Sequence, residues 1–230
     1  MTTAAHDPAR ALARAPRVTP DQDWDVVAGD GEWCIRSRGG PLPQGQVVTV
    51  GSAIQTLALS IQADGRRAQV DLLPDEDGTT LAVVRRLGPG PSGRARVLLA
   101  EPTPTVPPRQ LQPADLRRLA LAAEAFGCEL LWQGDAAAAR DVQHATRVLA
   151  TGTALSLTTV ITPGDGVENW LRAGQALAQC RLVALDLGFA VHLGPHALHD
   201  RETREEVRQA WNLAGWPQVQ LGLETQAEDF

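Results

Sequence analysis

The chain of 230 residues is long enough to bury a core, either as one domain or as two small ones. Its formal net charge of −6 at pH 7 argues against non-specific binding to nucleic acid. No apolar stretch reaches the ~18 residues that a membrane span needs, and the first residues lack the apolar core of a signal peptide, so we expect a cytoplasmic protein without nucleic-acid or membrane partners.

The first hundred residues contain five predicted elements. Two short strands, WDVVA and EWCIRS, form a hairpin across residues 29–31. Apolar residues at i, i+3, i+4 and i+7 predict a helix over residues 50–65, and a strand follows over residues 68–74. The short apolar run in residues 94–100 predicts one more strand.

Prolines mark a boundary in the middle of the chain. The segment EPTPTVPP, residues 101–108, is predicted to be irregular because its four prolines remove backbone donors and fix φ. We therefore divide the chain into a first half (1–100), a connector (101–112) and a second half (113–230). Helices are predicted in the second half over 113–127, 135–150, 166–188 and 201–215, and strands over 128–132, 189–195 and 217–224.

A weak internal repeat relates two of the predicted helices. Residues 51–65 and 174–188 each begin and end with glycine, and each precedes a strand that ends at proline, VDLLP and VHLGP. The repeat predicts two related halves around a pseudo-twofold axis, with Gly51 and Gly174 facing each other across the central helices. Chance similarity between two amphipathic helices is the alternative. A pseudo-dimer of this kind is compatible with a monomer or with a homodimer.

Two longer stretches resemble a known family. GSAIQTLALSIQADGRRAQVDLLPDEDGTTLAVVR is similar to the first-half block of the Acg-type nitroreductases, and WLRAGQALAQCRLVALDLGF with AGWPQVQLGL is similar to their second-half signature. The resemblance covers residues 11–224. It implies an α+β nitroreductase-like fold with two related halves, in which short mixed sheets flank central helices and FMN lies between the halves. The chain is shorter than these relatives, mainly between residues 150 and 166.

The resemblance selects the turn APRVTPDQDW, residues 15–24, as the ring side of a flavin site. The family pattern there is A-P-S-x-H-N-x-Q-P-W, and Pro16, Gln22 and Trp24 match it. Arg17 replaces the serine, and Pro20 replaces the asparagine and has no N–H group to offer. Gln22 can still donate to and accept from an isoalloxazine edge. The resemblance therefore implies a ring site that is partly retained.

The phosphate side of the implied flavin site has lost its positive charge. Residues 100–105, AEPTPT, stand where the relatives carry an arginine-rich run, and a phosphate dianion normally needs arginine forks or a helix N-terminus. Unless another arginine compensates, we expect a preference for FMN over riboflavin of less than about tenfold, with weak salt dependence. The candidates for compensation are Arg17, Arg94, Arg96 and Arg109.

The other residues implied by the resemblance contribute backbone groups and aromatic rings. Leu187, Gly188 and Phe189 lie at a helix-to-strand turn and are expected to offer backbone groups to the flavin. Trp216 is expected to flank the flavin cleft, as Trp24 is. None of these side chains is a convincing acid, base or nucleophile, so the expected chemistry, if turnover occurs, is hydride exchange between NAD(P)H and the flavin.

Two functions are compatible with these residues. The first is a flavoprotein that holds FMN or riboflavin between its halves, either storing it or acting as an NAD(P)H-dependent oxidoreductase. The second is a flavin-free binding or structural module of the same fold, whose cleft holds another small planar ligand or none.

The remaining clusters have simpler interpretations. His192, His196 and His199 straddle a strand-to-turn break, so we expect turn and cap residues rather than a zinc site. The three cysteines are expected to be buried and reduced. The absence of lysine and the abundance of alanine are typical of a GC-rich bacterial genome. Solvated faces are expected at the arginine pairs, with one shared basic patch as the alternative: Arg66 with Arg67, Arg85 with Arg86, and Arg94 with Arg96.

Overall fold

The computed structural model describes residues 12–100, 109–132, 153–193 and 196–226. Within these ranges, two four-stranded sheets and several helices surround a central helix pair, which confirms the predicted α+β class. Mixed sheets were expected from the resemblance, but every strand pairing in the described part is antiparallel. No helix in these ranges is both long and apolar enough to cross a membrane.

The strands and helices are numbered in chain order. The strands are β1 (Trp24–Ala28), β2 (Glu32–Ser37), β3 (Arg66–Leu72), β4 (Thr80–Pro89), β5 (Glu129–Trp132), β6 (Thr153–Thr162), β7 (Val191–Leu193) and β8 (Trp216–Gln226). The helices are α1 (Gln44–Ala63), α2 (Gly93–Leu99), α3 (Pro113–Glu124), α4 (Val167–Asp186) and α5 (Arg201–Ala210), with a 3-10 turn over His196–His199.

The two sheets have equivalent strand orders, β1-β2-β4-β3 and β5-β6-β8-β7. In each half an antiparallel strand pair precedes a long helix, α1 or α4, and two further strands follow it. The β1–β2 hairpin is confirmed, and Gly31 takes the positive φ of 76° that its turn requires. The predicted domain boundaries stay a prediction, because residues 101–108 lie outside the described ranges.

The central helices cross at two glycines. A Cβ atom built on Gly174 lies 2.8 Å from Gly51 Cα, and still closer to the carbonyl oxygen of Val48. A Cβ atom on Gly51 meets the carbonyl oxygen of Leu171 in the same way. The prediction that Gly51 and Gly174 face each other is confirmed, and the missing side chains are what allow the two main chains to approach so closely.

Some elements differ from the sequence-based predictions. Residues 94–99, predicted as strand, lie in α2, because Ala95, Leu98 and Leu99 are spaced at i, i+3 and i+4 and are buried together. Strands β4 and β6 are not among the predicted elements. The threonine-rich β6 lies where the resemblance places a deletion. The predicted helix over residues 135–150 falls outside the described residues.

Candidate ligand-binding site

The turn at residues 15–24 is fastened to the first turns of α1. The Val18 N–H group donates to Thr49 Oγ1 at 3.0 Å, and the Asp23 N–H group donates to Gln46 Oε1 at 3.0 Å. Gln46 Nε2 in turn donates to Asp23 Oδ2 at 2.8 Å. These hydrogen bonds fix the turn on the start of the helix.

The implied flavin residues in this turn differ in exposure. Pro16 and Trp24 are buried, with only 5% of Trp24 exposed, whereas Arg17 and Gln22 are exposed. Gln22 Nε2 donates a long hydrogen bond of 3.4 Å to the Trp24 carbonyl oxygen. Because Trp24 is buried among protein atoms, its ring offers little surface on which a flavin can stack.

The turn at residues 187–189 closes the C-terminal end of α4. The N–H groups of Leu187, Gly188 and Phe189 donate to carbonyl oxygens in the last turns of α4 at 2.9 to 3.0 Å. Gly188 has a positive φ of 86°, which is typical of a glycine that ends a helix. These backbone donors are therefore already engaged within the chain.

The side chain of Arg109 contacts this turn. Its guanidinium donates to both carboxylate oxygens of Asp115, at 2.6 and 3.1 Å, and to the Leu187 carbonyl oxygen at 3.3 Å. It also lies 4.4 Å from the centre of the Phe189 ring. The hydrogen bond from Arg109 is the main reason that the pKa of Asp115 is lowered. Arg109 is therefore committed to internal contacts.

Trp216 and residues 187–189 lie near opposite ends of α4. Gln218, two residues further along β8, contacts Asp165 just before α4, whereas the Glu224 N–H group donates to the Ala190 carbonyl oxygen just after α4. A helix of 20 residues spans about 30 Å. The structure thus brings Trp216 and the start of α1 to one end of the helix pair and leaves residues 187–189 at the other. The Trp216 ring is also covered by Arg208, at 4.9 Å.

A cleft of about 830 Å³ opens between the two halves. Its floor is formed by the C-terminal parts of α1 and α4. One wall comes from the first half, at the start of β3 and in α2, and the opposite wall is α3 in the second half. In the floor, Gln55 Nε2 donates to Gln179 Oε1 at 2.8 Å, so the two central helices are hydrogen-bonded at the base of the cleft.

The walls of the cleft carry positive charge and no described carboxylate. Arg66, Arg67 and Arg94 line the first-half wall and form no ion pair with any described residue. Arg118 lies on the α3 wall and is paired with Asp186 at 2.7 Å. The cleft is therefore locally positive, although the chain as a whole has a net charge of −6.

The fold places the arginines of the three sequence pairs in different surroundings. Arg85 pairs with Glu32 and Asp71 on the sheet, and Arg96 Nε donates to the Ala63 carbonyl oxygen at 2.7 Å. Arg66, Arg67 and Arg94 line the cleft, whereas Arg86 does not. A shared basic patch was the alternative expectation, and it holds for these three. The residues of the α3 wall, which include Arg118 and Leu121, carry no signal in the sequence that links them to a site.

A buried polar network joins the starts of α1, α4 and β8. Gln44 Nε2 donates to the Gln218 carbonyl oxygen at 2.9 Å, and Gln218 Nε2 donates to Thr162 Oγ1 at 2.8 Å. Asp165 accepts two hydrogen bonds from Arg204, at 3.2 and 3.0 Å, and neither side chain is more than 3% exposed. This network holds the two halves together, and no sequence motif indicated it.

The described histidines of the 192–199 cluster have separate surroundings. His192 Nε2 lies 2.6 Å from Glu224 Oε1, and His199 lies in the 3-10 turn before α5. Within the described ranges, no three histidine, cysteine or acidic side chains are grouped so that they could hold a metal ion.

No family of known proteins matches the chain, and no curated protein matches it either. It is similar in part to a crystal structure from Bacteroides thetaiotaomicron assigned as an NADH dehydrogenase/NAD(P)H nitroreductase, with 15% identity, 58% of this chain and 88% of that chain covered, and a TM-score of 0.44. A structure from Parabacteroides distasonis with the same assignment is 14% identical, covers 58% of this chain and 89% of its own, and has a TM-score of 0.43. Likeness at this level carries no argument about cofactor or activity.

Proposed function

We propose that the protein binds a small planar ligand in the cleft between its two halves, without turning it over. The cleft itself is the observation that carries this proposal. Its volume of about 830 Å³ falls within the usual range of small-molecule sites, and both halves contribute to its floor. FMN is the first ligand to test, because it is planar and its phosphate suits the guanidinium groups of the first-half wall.

The groups that line the cleft can bind but are poorly suited to proton transfer. Arginine stays protonated at any physiological pH, and glutamine amides do not titrate. The nearby thiols are also unreactive: burial raises the pKa of Cys128 to about 12, and burial likewise raises the pKa of Cys180. This chemistry favours storage or transport of a ligand over catalysis on it.

A second candidate function is binding of a flavin at the turn of residues 15–24. In this arrangement the flavin would lie between the two halves of one chain. Thr19 Oγ1 and Trp24 Nε1 favour it, because both atoms are buried without a hydrogen-bond partner among the described residues. Pro16, Arg17, Gln22 and Trp24 are the residues that would hold the ring. A bound flavin supplies hydride transfer.

The second candidate fits the structure less well than the cleft does. The N–H groups of Leu187, Gly188 and Phe189, which the resemblance assigns to the flavin, are used at the end of α4. They also lie at the opposite end of α4 from Trp216, whose ring faces Arg208. For these reasons we place the cleft first and regard the turn at residues 15–24 as the alternative.

Blocking the cleft is the direct test of the proposal. Ala125 is exposed on the α3 wall, so Ala125→Trp adds bulk to the cleft without removing a core contact. We expect this variant to bind FMN at least about tenfold more weakly than the wild type, measured by quenching of flavin fluorescence. The matched control is Ala114→Trp, at an exposed position of α3 that does not line the cleft, and it should bind FMN like the wild type.

The other outcomes separate the candidates. Binding of FMN that survives Ala125→Trp but is lost in Trp24→Phe assigns the flavin to the turn at residues 15–24. A ligand of the folded state must raise the melting temperature. If saturating FMN, riboflavin and 1-naphthyl phosphate all leave the melting temperature unchanged, the proposed function is wrong.

A further inference from the structure

We propose that the ligand of the cleft is an organic phosphate monoester with a flat apolar body, an inference that rests on the proposed function. The phosphate lies at the corner formed by Arg66, Arg67 and Arg94, and the apolar body lies against the α3 wall. The cleft therefore selects for two features of one ligand, an anionic head and an apolar body.

The three arginines come from adjoining segments of the first half. Arg66 and Arg67 begin β3, and Arg66 pairs in register with Pro89 at the end of β4. The chain then passes directly over Arg67: a Cβ atom built on Gly90 lies 2.7 Å from Arg67 Cγ and 3.1 Å from its main-chain nitrogen. Arg94 follows in the first turn of α2. All three residues thus line the first-half wall of the cleft.

This group of cations differs from the arginines of the structure that are neutralised within the chain. Arg85, Arg109, Arg172, Arg204 and Arg208 each have a carboxylate partner within 3.1 Å. Arg66, Arg67 and Arg94 have none among the described residues, and none of the described residues that line the cleft is acidic. Like charges on one wall repel each other unless an anion lies between them. A phosphate dianion accepts charge-assisted hydrogen bonds from several guanidinium groups at once, whereas a carboxylate brings one negative charge.

The opposite wall is suited to an apolar body. Leu121 is 58% exposed at the cleft, and Ala125 and Phe126 continue the same surface. Arg118 on this wall is already neutralised by Asp186. Charge is therefore concentrated on one side of the cleft and apolar surface on the other, which fits a ligand with one anionic end.

A matched set of small aromatic probes tests the inference. We expect 1-naphthyl phosphate to bind at least about tenfold more tightly than 1-naphthol at low salt, with 1-naphthoate in between, measured by isothermal titration calorimetry. Raising the salt concentration should weaken the phosphate probe and leave 1-naphthol unchanged. Arg94→Gln and Arg66→Gln should each weaken the phosphate probe by about fivefold or more, with no effect on 1-naphthol. The control is Arg117→Gln, an exposed arginine of α3 that does not line the cleft, which should change neither affinity.

Each alternative result has its own meaning. Equal binding of 1-naphthol and 1-naphthyl phosphate, with both blocked by Ala125→Trp, overturns the phosphate inference and leaves the proposed function standing. Loss of the phosphate probe in Arg17→Gln but not in Arg94→Gln also overturns it and moves the anion to the turn at residues 15–24. Binding of both probes that Ala125→Trp does not affect contradicts the proposed function itself.

Discussion

Arg204→Met is expected to destabilise the protein by about 3–5 kcal/mol, the usual cost of removing one partner from a buried ion pair. Arg204 and Asp165 are 2% and 3% exposed, and Arg204 contacts both oxygens of the carboxylate. Methionine fills part of the space but leaves the Asp165 charge buried without its cation. Arg201 does not replace it, because its Nε lies 3.9 Å from Asp165 and its side chain is 78% exposed. Urea unfolding, with the midpoint and the slope fitted together, measures the loss.

A surface pair on the same chain provides the control. Arg172 pairs with Glu168 one turn away on α4, and both side chains are about half exposed. Arg172→Met is expected to cost less than about 1 kcal/mol, because solvent screens such pairs. In the double variant Asp165→Asn/Arg204→Met the buried charge is gone, so part of the lost stability should return. Equal losses for Arg204→Met and Arg172→Met would contradict the importance of the buried pair.

The buried pair also sets the direction of a pH effect. Burial by itself raises the pKa of Asp165, but the hydrogen bonds from Arg204 and Trp170 outweigh it, so its pKa lies below the usual value of 3.8. A carboxyl group whose pKa is lowered by folding contributes stability above its unfolded pKa and loses that contribution as the pH falls. Below about pH 4, the wild type should therefore lose stability more steeply than Asp165→Asn.

The crossing of the two central helices was predictable because it depends on the residue type at one position of each helix. Two helices can cross in main-chain contact only where neither has a Cβ atom, so glycines at equivalent positions of two helices indicate the crossing. Gly51 and Gly174 carry that signal in the sequence. Residues 94–100 show where local patterns fail, since a short apolar run suits a strand or a helix equally. In the structure these residues form a helix, because Ala95, Leu98 and Leu99 can then be buried together on one face of α2.

The candidate site was less predictable, because its residues acquire meaning only from distant partners. Arg66 and Arg85 are both members of arginine pairs, and nothing in their neighbourhood distinguishes them. Arg85 forms an ion pair with Glu32, 53 positions away in the sequence, whereas Arg66 has no carboxylate partner among the described residues. Asp165 and Arg204 are likewise separated by 39 positions. Sequence patterns report helix faces and turns, but they do not report which charges a fold leaves unpaired.

Adding one methyl group at the helix crossing, in Gly174→Ala, is expected to destabilise the protein by at least about 3 kcal/mol. The new Cβ atom would overlap the Val48 carbonyl oxygen and lie 2.8 Å from Gly51 Cα. Both are main-chain atoms of a buried helix, so relief requires the whole helix to move rather than a side chain to rotate. Gly51→Ala should cost a similar amount through the Leu171 carbonyl oxygen. Urea unfolding of both variants at one protein concentration gives the values.

Gly93→Ala is the matched control, because a Cβ atom at this first position of α2 has nothing within 4 Å. Alanine favours helix over glycine, so we expect this variant to be unchanged or stabilised by up to about 1 kcal/mol. The double variant Gly51→Ala/Gly174→Ala should cost less than the sum of its parts, since one shift of the helices relieves both contacts. If Gly174→Ala unfolds at the same urea concentration as Gly93→Ala, the two helices do not meet at these glycines, and the arrangement of two halves around them is wrong.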